Sequence, residues 1–168
     1  REAGADGAAL LEALAATGPV TGVRLNPRKP ADTAELLRGA GAVPWCEGAF
    51  TLPGRPEFTL DPLFHAGAYY VQDPSSAVHY TIVKRLTEDG RPVRVLDLCA
   101  APGGKATAAL SALPEGSLLV ANEVMPQRAA ALAENTAKWG HPAVAVTSAQ
   151  AGRFALLGPL FDLIILDA

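Results

Sequence analysis

The pattern of apolar and polar positions changes near residue 60 of the chain. Before that point, short apolar segments are interrupted by many glycines and prolines, which is typical of a small α+β unit. Asp32 is placed to cap the start of a helix, because its side chain can accept from free backbone N–H groups. The predicted elements are, in chain order, a helix over 8–16, a strand over 20–25, a helix over 32–38, and short strands over 43–46 and 58–60.

A connecting segment over 61–72 leads into a more regular pattern. Asp73 and Pro74 open a helix predicted to reach Leu86, since proline fits the first turn, where no N–H donor is needed. The elements predicted after it are a strand over 93–98, a helix over 104–113, a strand over 118–122, a helix over 126–139, and strands over 144–147 and 161–166.

Strands that alternate with helices at this spacing predict βαβ units and a parallel sheet. The run 163–166 is apolar at every position, which is typical of a central strand covered by helices on both faces. The sequence therefore predicts two units. Residues 1–60 form a small α+β domain, and 61–168 form an α/β unit with a parallel sheet.

Composition narrows the class of protein. Hydrophobic residues make up 49% of the chain and charged residues 18%, so a buried core is expected rather than disorder. No apolar run reaches the ~20 residues that cross a bilayer, and we expect no membrane partner. Cys46 and Cys99 lie far apart, without the spacing of a metal site. Two distant cysteines without a disulfide pattern fit a protein of the reducing cytoplasm, and no metal is expected.

The most informative segment runs from Asp97 to Lys105, between a predicted strand and a predicted helix. In open parallel sheets, ligands bind at the carboxyl ends of the strands, where this segment lies. A phosphate-cradling loop is excluded because Cys99 stands where its first glycine belongs and Ala106 follows the lysine. The glycine spacing of dinucleotide-binding loops is also missing.

Binding of a nucleoside-type cofactor is the interpretation of the loop that remains, and the next strand supports this interpretation. Glu123 ends that strand, 19 residues after Gly104. An acidic side chain at this distance can accept hydrogen bonds from ribose hydroxyls. An ordinary turn with a solvated glutamate is the simpler interpretation of either feature alone. The combination favours a cofactor site.

The motifs together resemble a known family. The loop Leu96-Asp97-Leu98-Cys99-Ala100-Ala101-Pro102-Gly103-Gly104-Lys105 resembles the cofactor loop of the RNA cytosine-C5 methyltransferases, the Nol1/Nop2/Sun group. Further segments resemble that family in the same order, with the amino-terminal ones closest to its bacterial ribosomal RNA branch. They are Val23 to Asn26, Val43 to Cys46, Tyr70 to Ser76, Asn122 to Gly140, and Phe161 to Ala168.

The resemblance implies S-adenosylmethionine as cofactor and ribosomal RNA as partner, with transfer of a methyl group to C5 of a cytosine. It implies that Glu123 holds the ribose, that Gln150 stands near the adenine in place of an acidic residue, and that Asp167 faces the cofactor and the target base. The loop residues implied in cofactor binding are Cys99, Ala100, Ala101, Pro102, Gly103, Gly104 and Lys105.

The resemblance also implies that residues 1–60 are an RNA-orienting domain and that 61–168 are the first part of a Rossmann-like methyltransferase domain. It implies that the chain stops before the catalytic cysteines, so no catalytic residue is expected here. Cys99 and Cys46 are interpreted as packing residues. The family uses a thiolate that adds to C6 of cytosine. Two alternatives stay open: a methyltransferase of the same fold with another substrate, and a non-catalytic RNA-binding or assembly factor.

Three further expectations concern the surface. The three histidines are interpreted as surface or core residues, and Lys105 borders the cofactor, reaches toward the substrate or is solvated. A basic cluster of Arg24, Arg28, Lys29 and Arg38 is a candidate RNA contact or a solvated face. The apolar strand over 161–166 would leave an unpaired edge in a truncated domain, which predicts aggregation or strand-mediated dimerisation.

Overall fold

The first part of the chain folds around an antiparallel sheet. The computed structural model describes residues 4–16, 18 and 20–167. The strands lie in the order β2-β3-β1-β4, and each neighbouring pair is antiparallel. The elements are helix α1 (Gly4–Ala16), strands β1 (Thr21–Leu25), β2 (Gly41–Ala42) and β3 (Ala49–Leu52), helix α2 (Pro62–His65), and strand β4 (Tyr69–Gln72).

An aromatic cluster forms the core beside this sheet. Val23, Leu52, Phe58 and Tyr69 are buried together, and the rings of Phe58 and Tyr69 lie 6.1 Å apart between centroids. Asp61 accepts from the Leu63 backbone N–H, which caps α2, and from the Tyr69 hydroxyl at 2.6 Å. The buried Tyr69 hydroxyl is thereby satisfied.

The helix predicted over 32–38 is wrong. Asp32 does accept from the Ala34 backbone N–H at 3.1 Å, but residues 34–39 form successive turns that end at Gly39. Only Leu37 donates to a carbonyl four residues earlier, on Thr33. A segment this short between Pro30 and Gly39 gains too few helical hydrogen bonds to offset the cost of nucleating a helix.

Two short strands of this unit are also placed differently from the prediction. Residues 43–46 form a turn, in which Cys46 donates to the Val43 carbonyl, and the strand pairing lies on either side of it, in β2 and β3. Residues 58–60 form a 3₁₀ helix. Short apolar runs do not distinguish a strand from a turn that packs into the core.

The second part of the chain forms a parallel sheet. The elements are α3 (Val78–Leu86), β5 (Arg94–Asp97), α4 (Gly104–Ala112), β6 (Leu118–Asn122), α5 (Pro126–Trp139), β7 (Val144–Thr147) and β8 (Leu163–Ile165). The strands lie in the order β7-β6-β5-β8, and all pairs are parallel. The bounds predicted for β6, α5 and β7 are confirmed to the residue.

The central strands carry the core of this sheet. Val95 and Leu119 are fully buried between the helices, together with Leu132 and Trp139 of α5. Strand β8 differs from the expectation of a covered central strand, because it pairs only with β5 among the described residues. Ile164 is 57% exposed there. A run of apolar residues predicts burial on both faces, but burial also requires elements that cover both faces.

The first sheet continues past the boundary expected after residue 60. Strand β4, in the segment expected to connect the two units, pairs with β1 from Gly22 to Leu25. The first sheet therefore extends to Gln72. The pairing joins residues far apart in the chain, so no local pattern marks it. No helix in the described residues is long and apolar enough to cross a membrane.

Polar side chains from β1 and the loop after it join the two sheets. Arg24 donates to the hydroxyls of Thr107 and Ser111 on α4, and Asn26 donates to the Trp139 carbonyl at the end of α5. Lys29 donates to the carbonyl of Lys138. The expected basic surface cluster is therefore wrong for Arg24, which is 1% exposed. Its guanidinium group joins the two sheets through hydrogen bonds to α4.

Candidate functional site

The glycine loop is fixed at the carboxyl edge of the parallel sheet. Leu98 donates from its backbone to Ile165 of β8, and Ala100 donates to Asn122 of β6 at 2.8 Å. Gly103 ends the loop with φ +111°, a backbone conformation that residues with a Cβ rarely adopt. The loop therefore lies between three strands and the start of α4, as the sequence predicted.

A cleft of about 410 Å³ opens beside this loop. The loop forms one wall, and the end of β4 with the following turn forms the other. Most of the predicted cofactor-binding residues meet here. Those that line the cleft are Cys99, Ala100, Ala101, Pro102, Gly104, Lys105 and Asp167. A Cβ on Gly103 would instead face Leu132 of α5 at 3.4 Å, so that residue shapes the loop from behind.

Glu123 is not among the residues that line the cleft, but it contacts Arg128, which is, and it is 3% exposed. Its Oε1 accepts from the Met125 backbone N–H at 3.0 Å. Its Oε2 lies 3.3 Å from Nη1 of Arg128 but accepts no hydrogen bond from any described residue. A carboxylate oxygen with a free lone pair remains at the end of β6, where a ribose is expected.

Asp97 is a candidate that the sequence analysis did not single out. It ends β5 at 1% exposure, and its Oδ2 has no hydrogen-bond partner among the described residues. Burial raises the pKa of Asp97 to about 6, against the opposing charge of Lys105 and a backbone hydrogen bond from Cys99. The sequence did carry a signal for it: an acidic residue follows two apolar residues at the end of a predicted strand, where a hydrogen-bond acceptor can face a ligand.

Lys105 and Asp167 form an ion pair in the lining of the cleft. Lys105 comes from the first turn of α4, whereas Asp167 follows β8. The Lys105 side chain is 27% exposed and that of Asp167 is 53% exposed. The pair places one donor group and one acceptor group in the wall of the cleft.

Gln150 lies outside the cleft lining and is exposed. The loop before it is held to the site by Asn122, which accepts from the Ala149 N–H and donates to the carbonyls of Leu98 and Ala149. Asn122 thus joins the ends of β5, β6 and β7. Its role could be inferred only from contacts between strands, which no sequence spacing shows.

The two cysteines occupy different environments. Cys46 is 3% exposed and packs with Val43, Ala49 and Ala77, and burial raises the pKa of its thiol. Cys99 is half-buried in the glycine loop. In the part of the chain that the structure describes, no three His, Cys, Asp or Glu side chains lie close enough to hold a metal ion.

Solved structures of known proteins share this arrangement. A methyltransferase homologue from Pyrococcus horikoshii superposes with a TM-score of 0.75 at 26% identity, over 90% of this chain and 51% of its own. NSun6 from the same organism, determined with SFG, superposes with a TM-score of 0.55 at 28% identity, over 71% of this chain and 29% of its own. The fold is thus that of the Rossmann-like methyltransferases.

Sequence comparison identifies the family. The N-terminal domain of 16S rRNA methyltransferase RsmF matches residues 2–74, and the 16S rRNA methyltransferase RsmB/F family matches residues 85–168. The chain belongs to the RsmB/F family. Ribosomal RNA small subunit methyltransferase F from Enterobacter sp. is 35% identical over 132 residues, which cover 75% of this chain. The match spans 27% of that relative's length.

Proposed function

We propose that this chain binds S-adenosylmethionine in the cleft beside the glycine loop. We further propose that the full-length protein methylates C5 of a cytosine in ribosomal RNA. The observation that carries the first part is the pair of buried carboxylates, Asp97 and Glu123, each with an oxygen that lacks a hydrogen-bond partner among the described residues. Buried acceptors without donors are costly, so their presence favours a ligand that brings the donors.

The residues present fit this cofactor. Glu123 would accept from the ribose hydroxyls, and Asp97 would accept from the ammonium of the methionine part. The N-terminus of α4 and the small residues of the loop allow close approach of the cofactor's carboxylate. Gln150 would hydrogen-bond the adenine once its exposed side chain turns toward the site. S-adenosylmethionine supplies an electrophilic methyl group when bound.

The substrate side of the cleft carries the Lys105–Asp167 pair. When substrate separates this pair, the carboxylate of Asp167 would accept one hydrogen of the cytosine amino group, and Lys105 would donate to O2 of the ring or to a backbone phosphate. Neither cysteine of the described chain is assigned as the attacking thiolate. Cys46 is buried in the first unit, and the raised pKa of its thiol opposes ionisation. Cys99 forms the wall of the proposed cofactor site.

The family match supports ribosomal RNA as the partner. A bacterial ribosomal RNA methyltransferase would act in the cytoplasm, where its substrate is. The charge of the chain is −3, so attraction to RNA must come from local groups at the site or from other parts of the full-length protein.

The test is methyl transfer by the full-length protein. Protein, small-subunit ribosomal RNA and S-adenosylmethionine labelled in its methyl group are incubated, and the RNA is digested to nucleosides. Label in 5-methylcytidine is expected. Label in another nucleoside would show a methyltransferase of the same fold with a different target. Cofactor binding without transfer to RNA would favour a non-catalytic factor.

A further inference from the structure

The side chain of Gln72 has an amide without partners. Its Nε2 and Oε1 atoms are both buried, and neither has a hydrogen-bond partner among the residues that the structure describes. An amide hidden from water without partners costs free energy. The unpartnered amide therefore indicates a ligand that supplies the missing hydrogen bonds.

The position of Gln72 relates this amide to the candidate site. Residues alternate between the two faces of a strand, so Tyr70 and Gln72 of β4 point to the same side. A Cβ on Gly104 would lie 3.4 Å from Tyr70 Cε1 and 3.8 Å from Gln72 Oε1. The amide therefore lies over the start of α4. Gln72 lines the same cleft as Lys105 and Asp167.

The charged side chains of the cleft are already engaged with groups of the protein. Asp73 accepts from the backbone and the hydroxyl of Ser75, and Arg128 donates to the Ala101 carbonyl. Lys105 and Asp167 pair with each other. Gln72 differs from them because it offers a donor and an acceptor side by side, both unused.

A neighbouring donor and acceptor match the polar edge of a pyrimidine base. In cytosine the N4 amino group donates and the adjacent N3 accepts. The carboxylates of Asp97 and Glu123 only accept, which suits an ammonium and hydroxyl groups but not this edge. The amide of Gln72 suits it, because side-chain amides recognise bases through paired hydrogen bonds.

We propose that Gln72 binds the target cytosine, with Oε1 accepting from N4 and Nε2 donating to N3. The base reaches the cleft after it has left the RNA stack. The inference rests on the proposed function and adds a specificity residue to it. Because β4 belongs to the antiparallel sheet, the small unit takes part directly in base recognition.

The test compares Gln72→Met with Gln127→Met in the full-length protein. Methionine has nearly the same length as glutamine and makes no comparable hydrogen bonds, and Gln127 is an exposed residue of α5. Gln72→Met is expected to lower kcat/KM for RNA about 10- to 100-fold. Affinity for S-adenosylhomocysteine, measured by calorimetry, is expected to stay within about twofold. Gln127→Met should change neither quantity.

A second substrate distinguishes direct contact of Gln72 with the base from a structural role of Gln72 in the cleft. RNA that carries 2-pyrimidinone at the target lacks the N4 amino group. This replacement should lower binding of RNA to the wild-type protein and have a smaller effect on Gln72→Met, since the two changes remove the same hydrogen bond. Gln72→Glu keeps the shape and the acceptors but loses the donor, and should also reduce transfer to cytosine.

Three results would overturn the proposal. Equal loss of cofactor affinity in Gln72→Met would make Gln72 a cofactor ligand. Additive effects of the variant and the base analogue would show a structural role. A wild-type protein that binds S-adenosylhomocysteine but transfers no methyl group to RNA would overturn the proposed function and, with it, this role. Loss confined to the Gln72 variants would leave the proposed function standing.

Discussion

The guanidinium of Arg24 stacks on the ring of Trp139, with 4.5 Å between its central carbon and the ring centroid. Arg24 comes from the antiparallel sheet and Trp139 ends a helix of the parallel sheet. Arg24 has no carboxylate partner among the described residues, and burial lowers its pKa to about 10. A buried cation held by hydroxyls and an aromatic face thus joins the two units.

Removal of this side chain should loosen the junction. Arg24→Ala leaves a cavity and takes a donor from the hydroxyls of Thr107 and Ser111, so we expect the free energy of unfolding to fall by about 3 kcal/mol. Urea denaturation measures the change. Arg28→Ala, at an exposed position two residues after Asn26, should change it by less than about 0.5 kcal/mol. Equal effects of the two variants would contradict a special role for Arg24.

Gly67 packs against the carboxyl end of α5. A Cβ there would overlap the Lys138 carbonyl oxygen, and the residue has φ +70°. Gly67→Ala should therefore lower the free energy of unfolding by at least about 2 kcal/mol, from backbone strain and displacement of α5. Gly54→Ala is the control, because its added Cβ meets nothing within 4 Å. A Gly67→Ala protein as stable as Gly54→Ala would argue against the close approach.

Asp97 predicts a pH dependence of stability. Its folded-state pKa of about 6 lies above the ordinary value of 3.8, because burial disfavours the charged form. The carboxyl group therefore contributes its full stability below pH 3.8 and loses that contribution as the pH rises through 6. Asp97→Asn carries no charge, so its stability relative to the wild type should increase by about 2 kcal/mol between pH 4 and pH 7.5.

Denaturation of both proteins at the two pH values measures this difference. Asp89→Asn serves as control, because Asp89 is hydrogen-bonded to Arg91 and its pKa is lowered rather than raised. The stability of Asp89→Asn relative to the wild type should therefore not increase between the two pH values. A difference between Asp97→Asn and wild type that is constant with pH would show that the buried carboxyl does not titrate in this range.

Strand β8 predicts self-association of the chain described here. Ile164 and Leu166 are 57% and 66% exposed beside the edge of the sheet, which favours pairing with another strand. Ile164→Lys should raise the monomer fraction in sedimentation velocity at high protein concentration. Leu60→Lys removes an even more exposed apolar side chain, 75% exposed, in the other unit and should have no such effect. A monomeric wild-type chain would contradict the prediction.

The sequence predicted the parallel sheet more accurately than the antiparallel one. The helix and strands over 118–147 have strong periodicity and clear end signals, such as Pro126 and Gly140, and their bounds are confirmed. The first unit depends on pairings between β1, β3 and β4, which are remote in the chain. Local patterns carry no information about such pairings, so its turns were mistaken for strands and a helix.

The candidate site shows the same division. The loop from Cys99 to Lys105 could be predicted because its glycines and its place after a strand are local features. Gln72 and Asn122 were missed, since their importance lies in contacts or unsatisfied atoms that only the fold reveals. Arg24 was misplaced on the surface for the same reason. Asp97 was also missed, although its place at the end of an apolar strand was a local signal.

The most direct test of the cofactor site is the affinity of full-length protein for S-adenosylmethionine, measured by calorimetry. Glu123→Ala removes the buried acceptor at the end of β6, and Glu115→Ala removes an exposed carboxylate from a loop as control. We predict a loss of about 10- to 100-fold for Glu123→Ala and no change for Glu115→Ala. Unchanged affinity in Glu123→Ala would contradict the assignment of this cleft to the cofactor.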